Sequence, residues 1–148
     1  MMLSPFLIDT NVLLRLFKAD RRQYPQLRAA INQLAKQGIG LAYTLQNLTE
    51  FWNVSTRGTE RNGLGLSIGE TEQNVREVEI HFTFLPDNED VYREWRRIVF
   101  EHNVMGAQVH DARLAAAMSA HKLTHILTLN GSDFKRFPGI TSVHPDSV

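Results

Sequence analysis

The chain has 148 residues, with 16 Lys and Arg against 16 Asp and Glu, six His and no cysteine. That length leads us to expect one domain spanning residues 1–148, and 43% hydrophobic with 22% charged residues argues against a largely disordered chain. A formal net charge of zero disfavours a polybasic nucleic-acid binder. The lack of cysteine excludes a disulfide scaffold, a thiolate metal site and a thiol nucleophile, and fits a reducing compartment.

No apolar run approaches the roughly 20 residues a membrane span needs. Asp9 and Asn11 interrupt the apolar stretch from Met1 to Phe17 and spoil a signal-peptide core. The expectation is a cytoplasmic protein with no membrane association. Charge is uneven along the chain: residues 1–61 hold eight bases and four acids, so residues 62–148 carry the balancing negative excess.

In chain order, Phe6-Leu7-Ile8 is a short apolar run with Pro5 at its start, and predicts a buried strand. Asn11 to Phe17 predicts a short helix. Leu27, Ala30, Ile31, Leu34 and Ala35 repeat at helical spacing within 26–37, and Gly38 is a plausible stop. Gly40 to Tyr43 predicts a strand. Thr44 then caps a helix from Leu45 to about Thr56, with Leu45, Leu48, Trp52 and Ser55 along one face.

Three glycines among polar residues make Arg57 to Leu66 read as a mobile loop. Ser67-Ile68-Gly69-Glu70 fits a capping box for a helix to about His81, with an apolar stripe of Ile68, Val75, Val78 and Phe82. Thr83 to Leu85 predicts a strand ended by Pro86. Asp87 or Asn88 caps a helix whose buried face runs through Val91, Trp95, Ile98, Val99 and His102. A loop around Gly106 leads to an alanine-rich helix from Val109 to His121. Thr124 to Leu129 predicts a buried strand, Asp133 to Phe137 a helical turn, and Ile140 to Val143 a last strand. Such alternation implies an α/β domain with a mostly parallel sheet and helices on both faces. Ligands of these folds sit beyond the carboxyl ends of the strands.

Most acids lie on expected helix surfaces among arginines and read as a solvated face. Four do not. Asp9 follows the first strand, where a carboxylate is costly to desolvate unless paired or metal-bound; a helix cap explains it equally well. Glu50 lies beside Phe51 and Trp52, and an ordinary surface Glu is its blander account. Asp111 sits near the start of the alanine-rich helix, where a dipole role competes. Asp133 follows the late strand, where a turn or cap role competes. In a parallel sheet all four converge at one edge, and a hard divalent cation such as Mg²⁺ or Mn²⁺ relieves clustered carboxylates.

Other sites fail on their patterns. There is no Walker loop, no G-x-G-x-x-G, no Gly-x-Ser-x-Gly elbow and no H-E-x-x-H. His110 abuts Asp111; a supporting or packing role is weighed against direct acid–base work.

Four blocks in order, Ile8-Asp9-Thr10-Asn11-Val12-Leu13, Leu48-Thr49-Glu50-Phe51, 109–116 around His110-Asp111, and 126–134 from Ile126 to Phe134, resemble the PIN-domain ribonucleases, and within them the VapC-type toxins. The resemblance spans nearly the whole chain. It implies a three-layer α/β/α fold with a roughly five-stranded parallel sheet, and an acidic quartet binding one or two Mg²⁺ or Mn²⁺ ions. On this match Asp9, Glu50 and Asp111 carry over directly. The family often has an acid near the position of Asn130 and another just before the Phe, so Asp133 completes the quartet here. Thr10, Asn11 and Thr128 match its supporting polar positions, with His110 and Asn130 beside them.

The activity this implies is hydrolysis of RNA phosphodiesters by metal-activated water, leaving 5′-phosphate products. Arg15, Arg57, Arg61 and Arg113 are candidate phosphate contacts, with plain surface solvation as the alternative for each. The resemblance also implies a small antitoxin partner and a homodimer. Tyr24, Trp52, Trp95 and Phe100 offer an apolar groove for such a partner, with core packing the competing account of both tryptophans. A non-catalytic PIN-like module binding RNA or protein is the other reading, raised by Asn130. A dehalogenase-type phosphatase is disfavoured because Asn11 stands where D-x-D needs its second acid, and a receiver-type phosphoacceptor because Lys122 precedes the late strand.

Overall fold

The computed structural model describes residues 3–18 and 24–148. Five strands form one sheet: β1 (Phe6–Ile8), β2 (Leu41–Thr44), β3 (Thr83–Leu85), β4 (His125–Leu127) and β5 (Thr141–Val143). Their order is β3-β2-β1-β4-β5 and every pairing is parallel. The helices are α1 (Thr10–Leu16), α2 (Tyr24–Lys36), α3 (Leu45–Thr56), α4 (Ile68–His81), α5 (Glu89–Glu101) and α6 (Gln108–Ala120).

A parallel sheet is covered on both faces, because each crossover lays a helix across it. Successive strand residues therefore enter different cores. Leu7, Ala42 and Ile126 pack with Val91, Ile98, Leu114 and Met118 of α5 and α6. Ile8, Leu41, Tyr43 and Leu127 pack with Val12, Leu27, Leu34, Phe51 and Val78 of α1 to α4. The result is the expected α/β/α sandwich.

Chain order and sheet order together fix where a crevice opens. From β1 the chain moves outward to β2 and β3, then returns to the other side of β1 for β4 and β5. The direction reverses between β1 and β4, and the loops leaving these neighbouring strands diverge above their carboxyl ends.

Several boundaries differ from expectation. β2 is Leu41–Thr44, not Gly40–Tyr43, because Thr44 still pairs with Leu85 while also capping α3. β4 is shorter than Thr124–Leu129, and the late turn is a 3-10 turn over Gly131–Phe134 rather than 133–137. α3 is rotated relative to its apolar pattern: Gln46, Asn47, Phe51 and Ser55 are buried, and Leu45 is exposed. On α4, Ile68 is 71% exposed and Thr71 is buried, while Val78 of the expected stripe faces inward.

Residues 57–66 are a hydrogen-bonded loop folded back on the end of α3. Leu64 N and Leu66 N donate to the carbonyls of Val54 and Ser55, and Gly65 N donates to Arg57 O. Gly63 is required there, since a Cβ would collide with the Arg57 carbonyl.

Candidate active site

Asp9 is the first residue past β1, and the cap role expected of it is present. It is the N-cap of α1, accepting the Thr10 N–H on Oδ1 at 2.8 Å. Its other oxygen, Oδ2, accepts the Thr128 hydroxyl at 2.7 Å from the loop after β4. That hydroxyl in turn accepts Asn130 N–H at 3.0 Å. The reversal point between β1 and β4 is thus bridged by a buried carboxylate. Burial pushes the Asp9 pKa up, the two hydrogen bonds pull against that rise, and Glu50 and Asp133 push it further up.

Asp111 lies in the first turn of α6 and is half-buried. Its pKa is raised from 3.8 to about 6, first by burial, then by the charges of Asp133, Asp9 and Glu50; His110 works in the opposite direction. The structure therefore brings all four sequence-predicted acids within electrostatic reach of one another at the carboxyl edge. The strain of that gathering falls mainly on Asp111 and Asp9.

Glu50 is half-buried on α3, where its Oε1 accepts Gln46 Nε2 at 2.9 Å. Asp133 is exposed in the 3-10 turn, and Asn130 Nδ2 donates to its Oδ2 at 2.9 Å. Asn11 Oδ1 accepts Leu129 N–H at 3.3 Å, which ties α1 to the loop after β4. The His110 side chain is exposed, while its carbonyl accepts Gln46 Nε2 at 2.8 Å.

Two buried residues on α3 hold this edge together without appearing among the sequence-predicted residues. Asn47 is completely buried. It forms a reciprocal capping box with Thr44, and its Nδ2 donates to Thr10 Oγ1 at 3.1 Å, joining α3 to α1. Gln46, 6% exposed, joins Glu50 to the backbone of α6. Both signals are present in the sequence. Asn47 stands three residues after a Thr cap, and Gln46 stands four before Glu50 on the same helix.

The candidate phosphate contacts are mostly engaged. Arg113 forms an ion pair with Asp87 at 2.7 Å, Arg61 lies 3.8 Å from Glu60, and Arg57 donates to the Asn62 carbonyl at 3.2 Å. Arg15 is exposed at the end of α1. For the proposed apolar groove, the Tyr24 side chain lies outside the described residues. Trp95 packs on the α5/α6 core and donates Nε1–H to the Val109 carbonyl at 3.2 Å. Trp52 is half-buried and Phe100 is 84% exposed. Core packing thus accounts for Trp95.

Among the described residues, no group of three or more Asp, Glu or His side chains is arranged to hold a metal ion directly. The donor chemistry nonetheless suits a hydrated hard cation. Mg²⁺ keeps several waters and takes only one or two carboxylates, and the donors here are carboxylate and amide oxygens. The Gln46 Oε1 atom is buried with no hydrogen-bond partner in the protein.

A five-stranded parallel α/β/α sandwich with acids gathered at the β1/β4 edge defines a class of proteins, and the sequence model of the PIN domain matches residues 6–140. The chain belongs to the PIN domain family. No curated protein matches it by sequence. Among solved structures it is similar to VapBC2 from Rickettsia felis bound to a DNA fragment from its promoter. That match has a TM-score of 0.68 at 15% identity, covering 96% of this chain and 98% of that one. A toxin–antitoxin complex from Klebsiella pneumoniae matches with a TM-score of 0.62 at 22% identity, covering 97% and 99%. VapC20 of Mycobacterium tuberculosis, a toxin that cleaves the sarcin-ricin loop, matches with a TM-score of 0.62 at 13% identity, covering 86% and 92%. At these identities the likeness is one of fold.

Proposed function

We propose that this chain is a Mg²⁺- or Mn²⁺-dependent endoribonuclease and the toxin of a toxin–antitoxin pair. The observation that carries the reading is the gathering of Asp9, Glu50 and Asp133 around Asp111 at the carboxyl side of the sheet, close enough for their charges to act on it. A fold that gathers four acids at its crevice and satisfies them with few donors is built for a counter-charge. PIN family membership and the toxin components among its structural neighbours support the same activity class.

In this reading Asp9 and Asp111 hold the ion, with Glu50 and Asp133 acting directly or through water. A bound ion supplies a water acidic enough to be hydroxide near neutral pH, together with charge stabilisation at the phosphoryl oxygens. The chain's own residues do the positioning. Thr128 and the Thr10 N–H hold the two Asp9 oxygens in fixed directions, and Asn47 fixes Thr10 against α3. Single-stranded RNA or an exposed loop suits the crevice best, because its backbone can splay. An antitoxin partner is part of the proposal, supported by the toxin–antitoxin complexes among its neighbours, and a homodimer is proposed with it.

The test is cleavage of labelled RNA with Mg²⁺ or Mn²⁺ by wild type, Asp9→Asn and Asp111→Asn. Wild type is expected to cut and leave 5′-phosphates, and both variants to lose at least about a hundredfold in rate. Equal cleavage by all three would refute the assignment. One observation favours a second reading: Asn130, neutral, engages Asp133 at the rim. A non-catalytic RNA- or protein-binding module would show no Mn²⁺ binding and no cleavage.

A further inference from the structure

Gln46 is a buried amide used at only one end. Its two N–H groups are both engaged, one with Glu50 Oε1 at 2.9 Å and one with the His110 carbonyl at 2.8 Å. Both partners are acceptors, so the orientation of the amide is settled by its neighbours. Its Oε1 is buried and has no partner in the protein.

The residues that Gln46 joins are informative. Glu50 is one of the four acids, and His110 directly precedes another, Asp111. Two elements distant in sequence, α3 and the first turn of α6, are thereby set at a fixed separation across the acidic edge. The carboxylates carry like charges, and the neutral Gln46 amide joins the elements that bear them.

We propose that Gln46 is a positioning residue for cation binding. It clamps Glu50 to the α6 backbone beside Asp111. The inference rests on the metal-dependent reading above and deepens it. Gln46 does not touch the ion. It sets the spacing of the acids, a role typical of groups just outside a metal's own ligands.

The test is Mn²⁺ titration followed by electron paramagnetic resonance, with thermal melting in EDTA measured in parallel. The proteins are wild type, Asp111→Asn as a non-binding control, and Gln46→Met, which keeps the volume and loses all hydrogen bonding. The expected result is a Mn²⁺ affinity about tenfold or more below wild type for Gln46→Met, with a cooperative melt retained. If Gln46→Met does not fold, Gln46→Asn replaces it. That variant keeps an amide, is one methylene too short to span Glu50 and α6, and should show the same loss.

Wild-type affinity within about twofold in the folded variant overturns the proposal, whatever happens to its melting temperature; a purely structural glutamine would give that result. Absence of Mn²⁺ binding by wild type would refute the metal-dependent reading itself, and the role of Gln46 with it. Binding by wild type with unchanged affinity in the variant would refute only Gln46.

Discussion

Replacing Asp111 with Asn should make the metal-free protein more stable at neutral pH. The rise from 3.8 to about 6 corresponds, at about 1.4 kcal/mol per pKa unit, to about 3 kcal/mol of penalty on the ionised form. Asp111 is only half-buried, so solvent screening reduces that figure. The positive end of α6 also favours an anion there, by about 0.3–1 kcal/mol. The net expectation is a gain of about 1 kcal/mol for Asp111→Asn.

The pH dependence follows from the direction of the shift. Above about 6 the carboxylate is ionised in both states, and the folded chain bears the whole penalty. Between 3.8 and about 6 the folded chain holds a proton the unfolded chain has released, so stability falls as pH rises through that window. Below 3.8 both states are protonated and the penalty is gone. Urea unfolding in EDTA at pH 7.5, 5 and 3.5 measures it. Asp111→Asn should lead wild type at pH 7.5, and the lead should shrink toward pH 3.5. Saturating Mg²⁺ should reverse the order, because ligand at about 100 times Kd adds about 2.7 kcal/mol to the form that binds it. A variant less stable than wild type at pH 7.5 in EDTA, or a lead independent of pH, would refute the reasoning.

Thr128→Val keeps the shape of a buried residue and removes the donor to Asp9 and the acceptor for Asn130 N–H. A loss of about 2 kcal/mol is expected in urea unfolding at pH 7.5, since a hydrogen bond to a charged group is worth about 1.5–3 kcal/mol; an unchanged midpoint would contradict the bridge. RNA affinity should depend on metal beyond catalysis. Setting aside the four proposed site acids leaves 12 acids against 16 bases, so loading that site with metal would unmask a basic protein. Filter binding with an uncleavable RNA should show tighter binding with Mg²⁺ than with EDTA at equal ionic strength, and equal affinity would remove the charge argument.

Much of the scaffold was legible because its signals are local. Phe6-Leu7-Ile8, Thr83 to Leu85, Ser67 with Glu70, and the alanine-rich α6 are each read from a few adjacent residues. Asp9 was marked by its place after an apolar run. What failed was facing. The apolar pattern of α3 favours Leu45, but that residue is exposed and Asn47 is completely buried. Asn47 can be interior only because Thr44 and Thr10 satisfy its amide, and Thr10 is 37 residues away. Arg113 reads as a candidate phosphate contact, yet Asp87 in the loop between β3 and α5 engages it. The loop at 57–66 reads as mobile from its glycines, and its order comes from backbone bonds back to α3.

The sequence by itself determined the inventory: five short strands, their intervening helices, and four acids spaced to follow them. It also determined the parallel character of the sheet, since apolar runs separated by helices have no other economical arrangement. Only the tertiary structure decided that β4 lies beside β1, and that choice sets Thr128 on Asp9 across 119 residues. It alone decided that hydrogen bonds offset burial at Asp9 while the larger rise falls on Asp111, and that Gln46 joins two of the acid-bearing helices. The physical reason is that desolvation and charge repulsion depend on distance in space, which residue spacing along a chain does not record.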